Sequence, residues 1–356
     1  MSDTIYDDPA WFSESGPDDD VVISTRVRLA RNLTGLAFPS RMTEQDRNEL
    51  LVRMVPVVAD VLARPHYRHL DINTTGLSQL RFLTERNLLA GDSQEQRPLL
   101  LCIRRDQKVS VAVNGADHIH IAGLRTGLRA QDVLADVRSL DEELDETLRF
   151  AVDMNFGFLT SEIASCGTGM RCGTLLHVPA ISETGELQDV LSRVQAAGFR
   201  VKRFASSQDS SLGSVYQISD RGEFGKSEET VIRELEAVTG EIVQVERESR
   251  LKLVEQESSE FRTHIDEALR FMRMATALET EDALRTVLWL RVGAAVGLIP
   301  GSSTEQITPL LFEVQKSHIL RGMEAGGGST GTRGDSSGIT DSMVAAHRAD
   351  LVRRLL

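Results

Sequence analysis

A mixed α+β domain followed by a run of helices is the fold class that this sequence predicts, and three features predict it. Residues 98–104 (PLLLCIR) and 108–114 (KVSVAVN) read as paired strands across Asp106-Gln107, with Val109, Val111 and Val113 alternating so that one face is buried. Helical patterns interleave with such strands up to about residue 250, the signature of an α+β unit. Beyond that point residues 251–278, 281–296 and 304–321 form three helical segments with apolar faces. A chain of 356 residues with 41% hydrophobic content suffices for about two domains with sizeable cores.

In order, residues 1–20 read as an irregular acidic lead-in carrying Asp7, Asp8 and Asp18 to Asp20, with a turn at Gly16-Pro17. An arginine-rich strand, VVISTRVRLARNL, follows. Thr43 and Asp46 form a capping box that opens a helix reaching about residue 62, with Pro56 as a kink or break. A second helix covers residues 77–90. Residues 118–122 form a further strand, and residues 130–153 a long amphipathic helix. Strands at 174–179, 200–204 and 214–219 alternate with a helix at 186–197 and a polar loop at 206–211. Ser227, placed before Glu228 and Glu229, is the N-cap of the next helix. The domain boundaries are a lead-in at 1–20, an α+β domain at 21–249 and a helical domain at 250–324. A Gly/Ser-rich linker at 325–338 and a basic C-terminal helix at 339–356 complete the chain.

Charge and cysteine usage narrow the function classes. A net charge of −13 repels polyanions, so no nucleic-acid partner is expected. The N-terminus lacks a basic region followed by an apolar one, and no apolar run is long enough for a membrane span. Three cysteines, Cys102, Cys166 and Cys172, show no zinc spacing and suit a reducing compartment. The expectation is a cytoplasmic protein without a metal site of its own.

Two stretches carry chemistry. In FLTSEIASCGTGMRC an apolar entry leads into Gly167-Thr168-Gly169-Met170-Arg171. Glycines let backbone amides approach an anion, and a fixed guanidinium can grip a phosphate by a forked contact. A tight strand-to-loop connection explains the same glycines. Upstream, Arg26 and Arg28 point to one side if the segment is extended. Two adjacent guanidinium groups repel unless an anion sits between them; a solvated basic strand paired with local carboxylates is the alternative.

Taken together, these segments resemble the ATP:guanidino phosphotransferases, and within them the bacterial protein-arginine kinases. GPDDDVVISTRVRLARNLTGLAFP matches the family's S-x-R-x-R-x-x-R-N entry. VSVAVNGADHIHI lies where the family has a strand, then Asn-Glu-Glu-Asp-His and an arginine. FLTSEIASCGTGMR matches the Cys-Pro-Thr-Asn-x-Gly-Thr-Gly-x-Arg segment, and LGSVYQISDRGEFGKSEE the late strand and turn. The agreement runs from about residue 16 to 240, and the helical tail is similar too. The resemblance implies an antiparallel sheet flanked by helices, followed by a C-terminal helical domain. It implies transfer of the γ-phosphoryl of MgATP to a guanidinium nitrogen, with ATP and Mg2+ as cofactors, and Arg26, Arg28 and Arg171 as phosphate ligands. Arg31 is either a further ligand or a structural residue. Implied partners are proteins with exposed arginine, a zinc-binding activator, an ATP-dependent protease chaperone and a second copy in a homodimer.

The departures from the family pattern fall on the chemistry. Family members hold the acceptor with two glutamates, one of which can take its proton; the family's Glu-Glu pair corresponds to Gly115 and Ala116, with Asp117 and His118 retained. The second glutamate position falls on Ser207, and the family cysteine on Glu162. Two further phosphate arginines become His120 and Lys202, neither of which offers a permanently charged planar fork. Losing a positioned base costs about 10²–10⁴ in rate, and losing a fixed charge donor about 10²–10³. Glu162 and Asp117 are the candidate substitutes for the missing carboxylates. A catalytically degenerate pseudokinase with a regulatory or scaffolding role is the alternative. The phosphoarginine-sensing signature is half lost at residues 344–349, and Arg348, Arg353 and Arg354 read as helix C-terminal charge complementing the macrodipole.

Overall fold

The arginine-rich segment forms the strand around which the molecule is built. The computed structural model of the chain describes residues 5–62, 66–89, 98–205, 211–222, 225–256, 260–326 and 339–354. Ser207 and the linker residues 327–338 lie outside the described residues. β1 (Val22–Arg31) is a middle strand of an eight-stranded, wholly antiparallel sheet. The other strands are β2 (Tyr67–Asp71), β3 (Leu100–Arg104), β4 (Val109–Val113), β5 (Ile119–Arg125), β8 (Met170–His177), β9 (Phe199–Ala205) and β10 (Ser211–Asp220). Their spatial order is β2-β3-β4-β5-β1-β8-β10-β9. A separate ribbon pairs β6 (Val152–Asp153) with β7 (Gly157–Phe158).

The period of two along β1 separates its residues. Val27 and Leu29, both 0% exposed, enter the main core with Ile121, Met170, Cys172 and Ile218. Three helices cover that face: α1 (Glu44–Ala59), α3 (Ala130–Leu148) and α6 (Glu228–Glu255). The capping box at Thr43 and Asp46 forms as expected. Pro56 does not break α1, which ends three residues later where the Asp60 amide donates to the Pro56 carbonyl. The hairpin across Asp106-Gln107 is also present, with Gln107 at φ 56° closing the turn. Ser227 caps α6 by accepting from the Thr230 amide.

Several boundaries differ from expectation, each for a local reason. α3 stops at Leu148 because Arg149 turns left-handed (φ 54°) and Asp145 accepts from the Phe150 amide, sending Phe150 into the core. The helix expected at 77–90 is α2 (Leu77–Glu85), ended at Arg86 and followed by Asn87 at φ 57°. β8 begins at Met170, so Arg171 lies within a strand rather than in a loop. Pro179 opens a short helix, α4 (Pro179–Glu183), where its missing amide costs nothing. α5 (Leu187–Ala196) then precedes β9.

The helical region consists of α7 (Glu260–Met274), α8 (Thr280–Ala295), α9 (Thr304–Ile307), α10 (Leu310–Glu313), α11 (Lys316–Gly326) and α12 (Asp341–Arg353). α6 runs unbroken through residue 250. The acidic lead-in is not irregular filler: Ile5, Trp11 and Phe12 are buried in a second core with the helical region, and Phe12 stacks on Phe312 at 4.2 Å. Arg348 does not serve the α12 macrodipole. It is 2% exposed and donates to the carbonyls of Val314 and Leu278, a clamp between helices.

Candidate active site

The face of β1 turned away from the main core gathers the candidate ligands. Strand register places Arg28 directly opposite Arg171 of β8, and Ala30 opposite His120 of β5, so Arg26, Arg28, Arg171 and His120 share one side. Lys202 of β9 pairs with Gln217 of β10 and faces the same side, exposed, further along the sheet. Arg26, Arg28 and His120 line a cleft with Gly115, Ala116 and Ala112, the last being the cross-strand partner of His120.

Neither Arg26 nor Arg28 has a hydrogen bond or ion pair among the described residues. Burial, and then the neighbouring Arg28, push the Arg26 guanidinium down to about 10. Arg28 is likewise lowered by burial, with Asp117 and Glu162 partly offsetting burial and Arg171 adding to it. Two half-sequestered cations side by side, neither hydrogen-bonded nor ion-paired to a carboxylate among the described residues, are costly. The solvated basic strand paired with carboxylates is therefore not what this chain forms at these two positions.

Arg171 is held from both sides. Nη1 donates to Asp220 Oδ1 at 3.1 Å and Nη2 to Glu162 Oε1 at 3.2 Å. Asp220 is fixed by the Cys172 amide at 2.6 Å and the Gly222 amide at 2.9 Å. Gly222 (φ 71°) lies against the guanidinium, and a Cβ there would collide with Arg171 and with the Ala164 carbonyl. Asp220 and Gly222 position Arg171, although no motif of their own marks them in the sequence. Their only sequence signal is the strand-ending Asp-Arg-Gly that carries part of the resemblance.

The Gly-Thr-Gly segment makes a tight connection rather than an anion cradle at the atoms observed. The Gly167 amide donates to Phe158, and Gly169 (φ 64°) is pressed against Arg31 and the Ala30 carbonyl. Arg31 is structural: 1% exposed, it donates to Asp141 Oδ2 at 2.7 Å and to the Thr168 carbonyl at 2.9 Å, over the Phe158 ring at 3.6 Å.

The two candidate carboxylates differ. Asp117 is 4% exposed and occupied: Oδ1 accepts from Asn32 at 2.7 Å and from the Ser161 amide at 2.6 Å, and Oδ2 from His120 at 3.1 Å. Burial alone would raise it, but these hydrogen bonds, His120 foremost, hold it at about 2. Asp117 thus organises the loop and His120 instead of offering a free oxygen to an acceptor. Glu162 is more than half exposed beside Arg171, its Oε2 accepting from Ser165 at 3.3 Å. His120 is lowered by burial, with Arg28 and Arg26 adding to the effect against the hydrogen bond to Asp117, so the ring is neutral at pH 7. His118 is structural, accepting from the Leu33 amide and bonding the Ala37 carbonyl. Among the described residues no group of three His, Cys, Asp or Glu could hold a metal ion, and no helix is long and apolar enough to cross a membrane.

An antiparallel sheet with arginines on one face and helices behind it presents fixed positive charge suited to an anionic ligand, and comparison with known proteins gives the family. The family described as "ATP:guanido phosphotransferase, C-terminal catalytic domain" matches residues 59–249. The protein-arginine kinase of Symbiobacterium thermophilum is 30% identical over 318 residues, covering 87% of this chain and 89% of that protein. That of Brevibacillus brevis is 29% identical over 312 residues, covering 87% of each. Among solved structures, lombricine kinase superposes with a TM-score of 0.57 at 17% identity, covering 67% of this chain and 71% of that one, a likeness of fold. The chain belongs to the ATP:guanido phosphotransferase family.

Proposed function

We propose that this chain binds MgATP with its phosphates on Arg26, Arg28 and Arg171 and acts as a protein-arginine kinase-like phosphotransferase. The observation that carries the reading is the pair of guanidinium groups, Arg26 and Arg28, without any partner among the described residues and abreast of Arg171. A polyphosphate supplies the missing counter-charge and matches the forked geometry. Magnesium is taken to travel with the nucleotide. Transfer of a γ-phosphoryl group asks little covalent chemistry of a protein; fixed positive charge and alignment do most of the catalysis. Arg171 is held in place by Asp220, and a phosphate would take the Nη2 contact now made to the exposed Glu162.

The acceptor side is weaker. A guanidinium must be held and must give up a proton, and the positions of the family's glutamate pair carry Gly115 and Ala116. Glu162, paired with Arg171, is a carboxylate with an exposed side chain beside the proposed phosphate ligands. A second reading, a nucleotide-binding regulator with little transfer activity, is favoured by that loss of carboxylates at the cleft wall. The test is incubation of purified protein with MgATP labelled at the γ-phosphate and an arginine-rich acceptor protein. Label on acceptor arginines, absent with Arg171→Ala, supports the kinase. Nucleotide binding by calorimetry without acceptor label supports the regulator. Absence of MgATP binding refutes both.

A further inference from the structure

The cleft contains a better nucleophile than a guanidinium. His120 and Asp117 form a dyad, Nε2 to Oδ2 at 3.1 Å, and the aspartate is itself fixed by Asn32 and the Ser161 amide. An acceptor carboxylate on Nε2 puts the ring proton there and leaves the lone pair on Nδ1. Nδ1 has no hydrogen-bond partner among the described residues, and His120 lines the same cleft as Arg26 and Arg28. The ring is neutral at pH 7, because burial and the two arginines disfavour a second proton.

We propose that His120 is a phosphoryl-acceptor site of this protein, taking the γ-phosphoryl of a nucleoside triphosphate on Nδ1 to give a phosphohistidine. The inference rests on the reading of the cleft as a nucleotide site and extends it to an acceptor within the chain. In the step, Nδ1 forms a bond to the γ-phosphorus while the bond from that phosphorus to the β,γ-bridging oxygen breaks. The electron pair leaves with the nucleoside diphosphate. The proton on Nε2 stays on the ring, whose new positive charge faces the Asp117 carboxylate. No base is consumed, which distinguishes this acceptor from a guanidinium and suits a cleft whose family carboxylate positions hold Gly115 and Ala116. Arg26 and Arg28 neutralise the phosphoryl oxygens as charge shifts towards the leaving group. The pairing of a nucleophilic nitrogen with an orienting carboxylate is the arrangement an activated imidazole needs.

The experiment uses the full chain with γ-labelled MgATP and no added acceptor. Covalent label is mapped by mass spectrometry under neutral conditions, and MgATP affinity and melting temperature are measured on each variant. The expected result is label approaching one per chain on residue 120, absent in His120→Asn at MgATP concentrations that saturate that variant. Asp117→Asn should cut the labelling rate by a factor on the order of 10², because an amide can donate to Nε2 and fix the wrong tautomer. Should Asp117→Asn unfold, as loss of the Asn32 and Ser161 contacts allows, His120→Asn and His120→Gln carry the test alone. Label that persists in both histidine variants overturns the proposal, as does MgATP binding by wild type with no label. If wild type does not bind MgATP, the nucleotide reading fails and the phosphohistidine with it.

Discussion

Glu162 and Gly222 act on Arg171 from opposite sides, and each gives a separable prediction. On the proposed reading Glu162 Oε1 would compete with a phosphate for Arg171 Nη2, and an exposed ion pair of this kind is worth about 0.2–1 kcal/mol. Glu162→Gln should therefore bind MgATP more tightly by calorimetry, by about 1.4- to fivefold; weaker binding would mean that the carboxylate serves the nucleotide instead. Gly222→Ala forces a side chain into the guanidinium at a left-handed φ, so Arg171 must move. Losing one charged, forked contact should weaken MgATP binding about 10- to 100-fold, and unchanged affinity would show that Arg171 does not touch the nucleotide. How much of this site was legible follows from the same residues. The shared side of Arg26 and Arg28 is readable from strand periodicity alone. That Asp117 is fully engaged is not readable, because its donors at Asn32 and Ser161 come from distant loops. The grip of Asp220 and Gly222 on Arg171 depends on β10 ending beside β8, which no local pattern announces.

At the level of elements, Arg31 joins three pieces of structure whose union positions the cleft. It leaves the end of β1, pairs with Asp141 on α3 and takes the Thr168 carbonyl of the glycine-rich turn. Burial pushes Asp141 upward despite Arg31, so this carboxylate depends on its partner. Arg31→Met should destabilise the protein by about 3–5 kcal/mol, because it strands a buried carboxylate. Arg31→Met with Asp141→Leu should recover much of that loss. Denaturant midpoints measure both, and a single-variant loss below about 1 kcal/mol would show that Asp141 is solvated without Arg31. Elements with local signals, such as the Thr43 capping box, the 106–107 hairpin and the Ser227 cap, form as the sequence predicts. The overrun of α3 arises because its amphipathic pattern continues past Leu148, while the observed stop depends on Phe150 entering the core.

Across the whole molecule, the second core binds the first residues of the chain to the helical region, and it contains a pH-dependent weakness. Trp11 and Phe12 were opaque in the sequence because their partners, Phe312 among them, lie near the other end of the chain. In the same core His318 stacks on Phe82 at 4.5 Å, and burial, then Arg86, push its ring down to about 3. An unfolded histidine titrates near 6.5, so below that pH the unfolded chain takes up a proton that the folded chain refuses. Stability is lost as pH falls from about 6.5 towards 3, by about 1.4 kcal/mol per pH unit for one such group. Glu85 and Glu313, both raised by burial, protonate in the folded state first and work in the opposite sense. Asp117, held at about 2, keeps its contribution between pH 7 and 5 and loses it only as pH falls further, through the carboxylate range of the unfolded chain. The difference between wild type and His318→Phe therefore isolates the histidine, since the phenyl ring preserves the stack on Phe82. The melting temperature of wild type should drop more steeply than that of His318→Phe between pH 7 and 5. Parallel curves would mean that His318 is protonated within the fold, and that this junction tolerates charge.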